Sequence, residues 1–90
     1  MRLSLQDFEF AGDNSIPGQA GVLIVFFPIG HNMRVLEVVE SPNLRETVTR
    51  ITQRLGARYS ACLRYQVVVV PDKSSRMELA HKTRAHYSVR

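Results

Sequence analysis

Two rhythms of apolar and polar residues run along this chain, and the places where one gives way to the other mark its elements. From Ala20 to Phe27 (AGVLIVFF) the residues are continuously apolar, rich in β-branched and aromatic side chains, and bounded by Gly18 and Pro28. A run of this length is too short to span a membrane and reads as a buried strand. Pro28-Ile29-Gly30-His31-Asn32 supplies turn chemistry, and Met33 to Val39 resumes as the second strand of a hairpin. Strict alternation puts Met33, Val35, Glu37 and Val39 on one face of that strand, with Arg34, Leu36, Val38 and Glu40 on the other.

The rhythm then becomes helical. Leu44, Val48, Ile51 and Leu55 form a single apolar stripe. Ser41-Pro42 offers one start, an N-cap followed by proline at the first helical position; Asn43 with Glu46 offers another, a capping pair within the same turn. Gly56 is the natural stop. Beyond it, Tyr59 to Ala61 reads as a linker and Cys62 to Val70 as a third strand, with Val67 to Val70 apolar on both faces. Pro71 and Asp72 end that strand. Ser75-x-x-Glu78 suggests a capping box for a last helix reaching about Tyr87, whose thin apolar side would be Met77, Ala80, Thr83 and Tyr87. Ahead of everything, Leu3 and Leu5 alternate with polar residues, Phe8 and Phe10 continue out of phase, and Gly12 to Ser15 break the pattern. Residues 1–15 are therefore expected to be an accessory strand and loop that covers a sheet edge or pairs with a second copy. The pattern predicts one α+β domain over residues 1–90, with a ββαβα core spanning 16–87.

Composition adds an asymmetry. The chain is 44% hydrophobic, an ordinary globular value, and carries a net charge of +4. Residues 1–40 hold two basic side chains against five acidic ones, a net −3, whereas residues 41–90 hold ten against three, a net +7. Ten of the twelve basic residues are arginine, whose planar fork suits phosphate better than a lysine point charge does. This favours a polyanionic partner, nucleic acid above all, over a membrane surface. The single cysteine, Cys62, precludes an internal disulfide, and the opening MRLSLQDFEF lacks the basic-then-apolar order of a secretory signal. Both observations fit an intracellular, cytoplasmic protein. Cys62, at the start of its strand, is expected to be packed.

Side chains with chemistry are scattered. His81 and His86 diverge on a helix rather than sharing the i, i+4 face that zinc helices use, and His31 sits in a turn, so no metal site is expected. Glu37 interrupts an apolar row and is expected to pair with an arginine such as Arg34 or Arg64. On the first helix Arg50 and Arg54 project away from the apolar stripe and Arg45 lies at its flank. Arg54 and Arg58 would complement the negative end of the helix dipole. Tyr59, Tyr65 and Tyr87 are residues that could stack on bases, but packing is the favoured reading for each, since nothing else in the sequence suggests an aromatic platform.

IPGQAGVL resembles the LPxxPGVY opening of GIY-YIG nuclease domains, in particular those that begin the bacterial excision-repair endonucleases, and VLEVVESPNLRETV resembles that family's VLYVGKSKNLRERV segment. Ile16, Pro17, Gly21, Val22, Val35, Leu36, Val38, Ser41, Asn43, Leu44, Arg45, Glu46 and Val48 carry the match. The resemblance implies a three-stranded central sheet flanked by helices, with the N-terminal strand as an addition. It also implies a missing catalytic set. The positions of the family's two tyrosines, helix arginine and metal-holding glutamate correspond to Leu23, Glu37, Thr47 and Ala80, and Val39 replaces a glycine. Leucine has no proton to exchange, threonine no fixed charge and alanine no ligand atom. The expectation is a degenerate nuclease scaffold, a pseudoenzyme without cofactor, that binds DNA or RNA non-specifically through Arg45, Arg50, Arg54, Arg58 and Arg76. The alternative is a protein-interaction or self-assembly module on the same scaffold, its acidic half docking against the basic half of a partner or of a second copy. A relocated nuclease set, Glu37 with His31, is the remaining reading.

Overall fold

The computed structural model describes residues 4–89. Its four strands are β1 (Glu9–Ala11), β2 (Gly21–Ile29), β3 (Asn32–Ser41) and β4 (Arg64–Val69), and its helices are α1 (Leu44–Leu55), α2 (Ala57–Ser60) and α3 (Lys73–Tyr87). The strands form one antiparallel sheet in the order β1-β4-β2-β3. The class is α+β. β2 lies between β4 and β3 and is covered on both sides, which is why every residue from Gly21 to Phe26 is buried and why its sequence does not alternate.

Each face of the sheet has its own core. Leu23 and Val25 of β2 point towards α1 and pack with Leu44, Val48 and Ile51. Val22, Ile24 and Phe26 point the other way, against Leu79 and Ala80 of α3 and Phe8 of the N-terminal segment. β2 and β3 are joined by a two-residue turn, Gly30-His31, in which Gly30 takes φ +60°, as the first central residue of a type II′ hairpin turn does. Among the described residues no helix is long and apolar enough to cross a membrane.

Several local expectations change. Leu3 lies outside the described residues, and Leu5 falls in a 3-10 turn (Leu5–Asp7) capped by Ser4, because the Ser4 and Asp7 side chains satisfy the turn's backbone better than an edge strand would. The accessory strand forms later, at Glu9–Ala11, where it pairs with Tyr65–Val67 and covers that edge of the sheet. On β3 the alternation breaks: Val25 faces Glu37 and Phe26 faces Val35, so Leu36 bulges out of the ladder. Val35 therefore joins Val38 on the α3 side instead of sharing a face with Glu37 and Val39. Tyr59 is not in a linker but in the short helix α2, which follows the reversal at Gly56 (φ +83°). β4 begins only at Arg64, leaving Cys62 in a turn with its thiol exposed rather than packed.

Both long helices are capped, α1 by the second of the two starts the sequence offers and α3 by a residue the sequence pattern does not point to. Asn43 caps α1, its Oδ1 accepting from the Glu46 N–H, while Ser41 stays in β3 and its hydroxyl accepts from the Asn43 N–H. α3 starts earlier than the Ser75-x-x-Glu78 pattern implies: Asp72 is its cap, accepting from both the N–H and the hydroxyl of Ser75 at 2.8 Å. These two hydrogen bonds, aided by the charge of Arg76 and opposed by slight desolvation, hold the Asp72 carboxyl below its ordinary value of 3.8. A depressed folded value means that the stabilisation is complete above the unfolded value and drains away as pH falls through the folded one. Thermal unfolding between about pH 6 and pH 2 should therefore show an acid loss that Asp72→Asn, which keeps the cap without the titrating proton, lacks. An identical acid profile in the variant would assign the loss to other carboxyls.

Candidate nucleic-acid interface

α1 reaches the solvent because its apolar stripe occupies one side only. Arg45, Arg50 and Arg54 are exposed along it, and Arg58 is exposed on α2. The start of α1 is not an anion cradle, because its backbone is already in use. The N–H groups of Leu44 and Arg45 donate to the carbonyls of Gln19 and Pro17, at 2.9 and 3.2 Å, and those of Glu46 and Thr47 to Asn43. What remains for a ligand is side chain. Arg45 lies back along the Ile16–Gly18 loop, its Nε donating to the Ile16 carbonyl at 3.2 Å, and forms with Gly18, Asn43, Glu46, Thr49 and Arg50 a shallow groove of about 560 Å³.

Arg54 leans over β3 and pairs with Glu37, Nη2 to Oε2 at 3.3 Å, with both side chains substantially exposed. Glu37 thus has an arginine partner, though neither of the two expected, because the helix and not the neighbouring strand brings the cation over its face. An exposed pair of this kind contributes little to stability and leaves Arg54 available to a stronger anion. Close by, at the hairpin end of the same face, Phe27 packs against Tyr59 of α2 as a stacked pair, with centroids 5.3 Å apart and planes at 22°. Arg34 is the cross-strand partner of Phe27, and its side chain is exposed. Tyr59 is one of the three tyrosines for which the sequence leaves base stacking open behind packing, whereas nothing in the sequence marks Arg34 as a site residue.

Arg76 does not belong to this surface. It sits on the opposite side of the sheet, 7% exposed, with Nε on Glu40 Oε2 at 2.8 Å and Nη1 donating to the Pro71 and Val70 carbonyls. Its place is inside α3's packed side, where Arg76, Leu79, Ala80 and Thr83 are buried and Met77, expected inside, is exposed.

Of the four positions that the family resemblance singles out, three lie on the α1 side of the sheet and the fourth lies across it. Leu23 is sealed beneath α1, Thr47 shares a 2.6 Å hydroxyl–hydroxyl hydrogen bond with Ser41, Glu37 holds Arg54, and Ala80 lies in the other core, across the sheet. His31 is at the hairpin tip, on the order of 15–20 Å along the strand from Glu37. Among the described residues no three His, Cys, Asp or Glu side chains gather as a metal site. No protein family, curated protein or solved structure matches the chain.

Proposed function

We propose that the protein binds nucleic acid, without catalysing its cleavage, through the face formed by α1, α2 and the hairpin end of β3. The observation that carries this reading is the charge on that face: Arg34, Arg45, Arg50, Arg54 and Arg58 against Glu37 and Glu46, five cations to two anions, all five arginines reaching solvent. Arginines spread along a convex helix grip phosphates without reading bases, so the binding is salt-dependent and of low sequence preference. The resemblance to GIY-YIG domains supports the same reading, with Leu23, Thr47 and Ala80 in place of reactive side chains. The cytoplasm, where a lone exposed thiol stays reduced, is the setting that goes with it.

Fluorescence anisotropy of labelled oligonucleotides over a salt series tests this. Replacing Arg50 and Arg54 by alanine should lower the slope of log affinity against log salt by roughly 1.4–1.8, since each released phosphate contact contributes about 0.7–0.9. Replacing Lys73 and Lys82, on the other side of the sheet, should leave the slope near its starting value. An unchanged slope in the first variant, or an equal fall in the second, would count against this face.

Self-assembly draws on one observation, the unpaired outer edge of β3. That edge is guarded by Arg34, Glu37 and Glu40, by the bulge at Leu36 and by the Arg84 guanidinium, which donates to the Val38 carbonyl at 3.1 Å. Nucleic acid is therefore the better-supported partner.

A further inference from the structure

The stacked pair at the hairpin end makes the arginine face chemically uneven. Phe27 is held by the sheet and packs against the core beneath α1, and it covers one face of the Tyr59 ring. Tyr59 is still 44% exposed, although Phe27 stacks on it. α2 is a single turn closed by the Ser60 N–H donating to the Gly56 carbonyl at 3.0 Å, and it is seated against the fold through Ser60, which is buried. Arg58 precedes Tyr59 in the same helix. Arg34 stands across the ladder from Phe27, at the distance of about 5 Å that separates directly opposed Cβ atoms. A half-exposed aromatic ring backed by Phe27 thus sits in a neighbourhood that also holds two exposed arginines, Arg34 on the strand paired with Phe27 and Arg58 on the ring's own helix.

We propose that this is a base-stacking step and that the nucleic acid the protein takes is single-stranded: an unpaired base lies on the open face of Tyr59 while the phosphates on either side meet Arg34 and Arg58. The proposal rests on reading the arginine face as a nucleic-acid surface and narrows it to one class. In a duplex both faces of every internal base are already stacked, so an exposed aromatic ring gains nothing there. In a single strand each base offers a free face, and stacking on an aromatic ring is largely indifferent to which base it is. The arginines alone would serve either form; the ring discriminates between them.

The test uses labelled oligothymidylate, oligouridylate and a mixed-sequence duplex at low salt. Tyr59→Ala should weaken binding of both single strands roughly tenfold and shift the duplex by no more than about twofold, whereas Tyr59→Phe, which keeps the ring, should bind like the unaltered protein. A second readout needs no variant. The chain has three tyrosines and no tryptophan, so stacking on Tyr59 should quench tyrosine emission as a single strand is added, and the duplex should not. A preference for oligouridylate or oligothymidylate would then identify RNA or DNA as the natural strand. Single-strand binding that ignores Tyr59→Ala, or a duplex bound as tightly as the strands without quenching, would overturn the stacking step and leave the arginine face standing. No binding of any probe at low salt would overturn both.

Discussion

Gly21→Ala should lower the thermal midpoint of the protein more than any other single change to the sheet. Gly21 opens β2 between two partners, opposite Ser41 on one side and Val69 on the other. A Cβ at this position would run into the carbonyl oxygen of Val68 and come within 2.9 Å of Leu44 Cδ1. The first obstacle is backbone in a paired strand, and the second is a core residue in the first turn of α1, so neither can give way cheaply. Overpacking of this kind costs about 3 kcal/mol, a large share of the roughly 5–13 kcal/mol available to a chain of this size. At about 4–8 °C per kcal/mol, the thermal midpoint should fall by about 12–24 °C, read by circular dichroism. A midpoint within a few degrees of the unaltered protein would mean that β2 and β4 do not approach this closely.

Arg76→Leu should be nearly as damaging and should not alter nucleic-acid affinity at all. The substitution strips Glu40 of its partner on a side chain that is only 25% exposed, and leaves the Pro71 and Val70 carbonyls without their donor. Breaking a buried pair by removing one member costs about 3–5 kcal/mol, and the partial exposure of Glu40 puts this one near the lower end, at about 2–3 kcal/mol. Adding Glu40→Leu should restore a good part of the loss, because the unpaired carboxylate leaves with it. Chemical denaturation of the two single variants and the double variant gives the coupling. A single variant as stable as the parent would show that the tether carries nothing. An affinity that falls while stability holds would return Arg76 to the binding surface.

These two residues show what could be read from the sequence and what could not. The β2 run, the Gly30 turn and the α1 stripe are local patterns with local causes, and they appear where expected. Gly21 stood out only as a motif match; its reason is a close approach to a strand more than forty residues away, which no local pattern encodes. Arg76 was assigned to the surface because charge normally means exposure, yet it fills the first position of α3's buried stripe and hides that stripe's true phase, so Met77 was turned inwards by mistake. The bulge at Leu36 reversed the faces of half a strand for a similar reason: one extra residue is invisible to a count of alternation. At the candidate site, the helix arginines were legible from their spacing. The partner of Arg54 and the stacking of Tyr59 on Phe27 depend on the hairpin folding back under α1 and α2.

The sheet's unequal pairing also sets an order in which the molecule comes apart. β2 has a neighbour on each edge and a core on each face, so its amide protons are released only when the whole fold opens. β1 is held by three residue pairs along the edge of β4 and detaches first, at little cost. Its departure bares the flank of Tyr65–Val67, which together with Val68 and Val69 makes a β-prone segment ready to recruit another strand. The N-terminal segment thus acts as a guard on kinetic grounds: the fraction of time it is lifted while the rest of the sheet stays intact sets how often that edge can meet a neighbour.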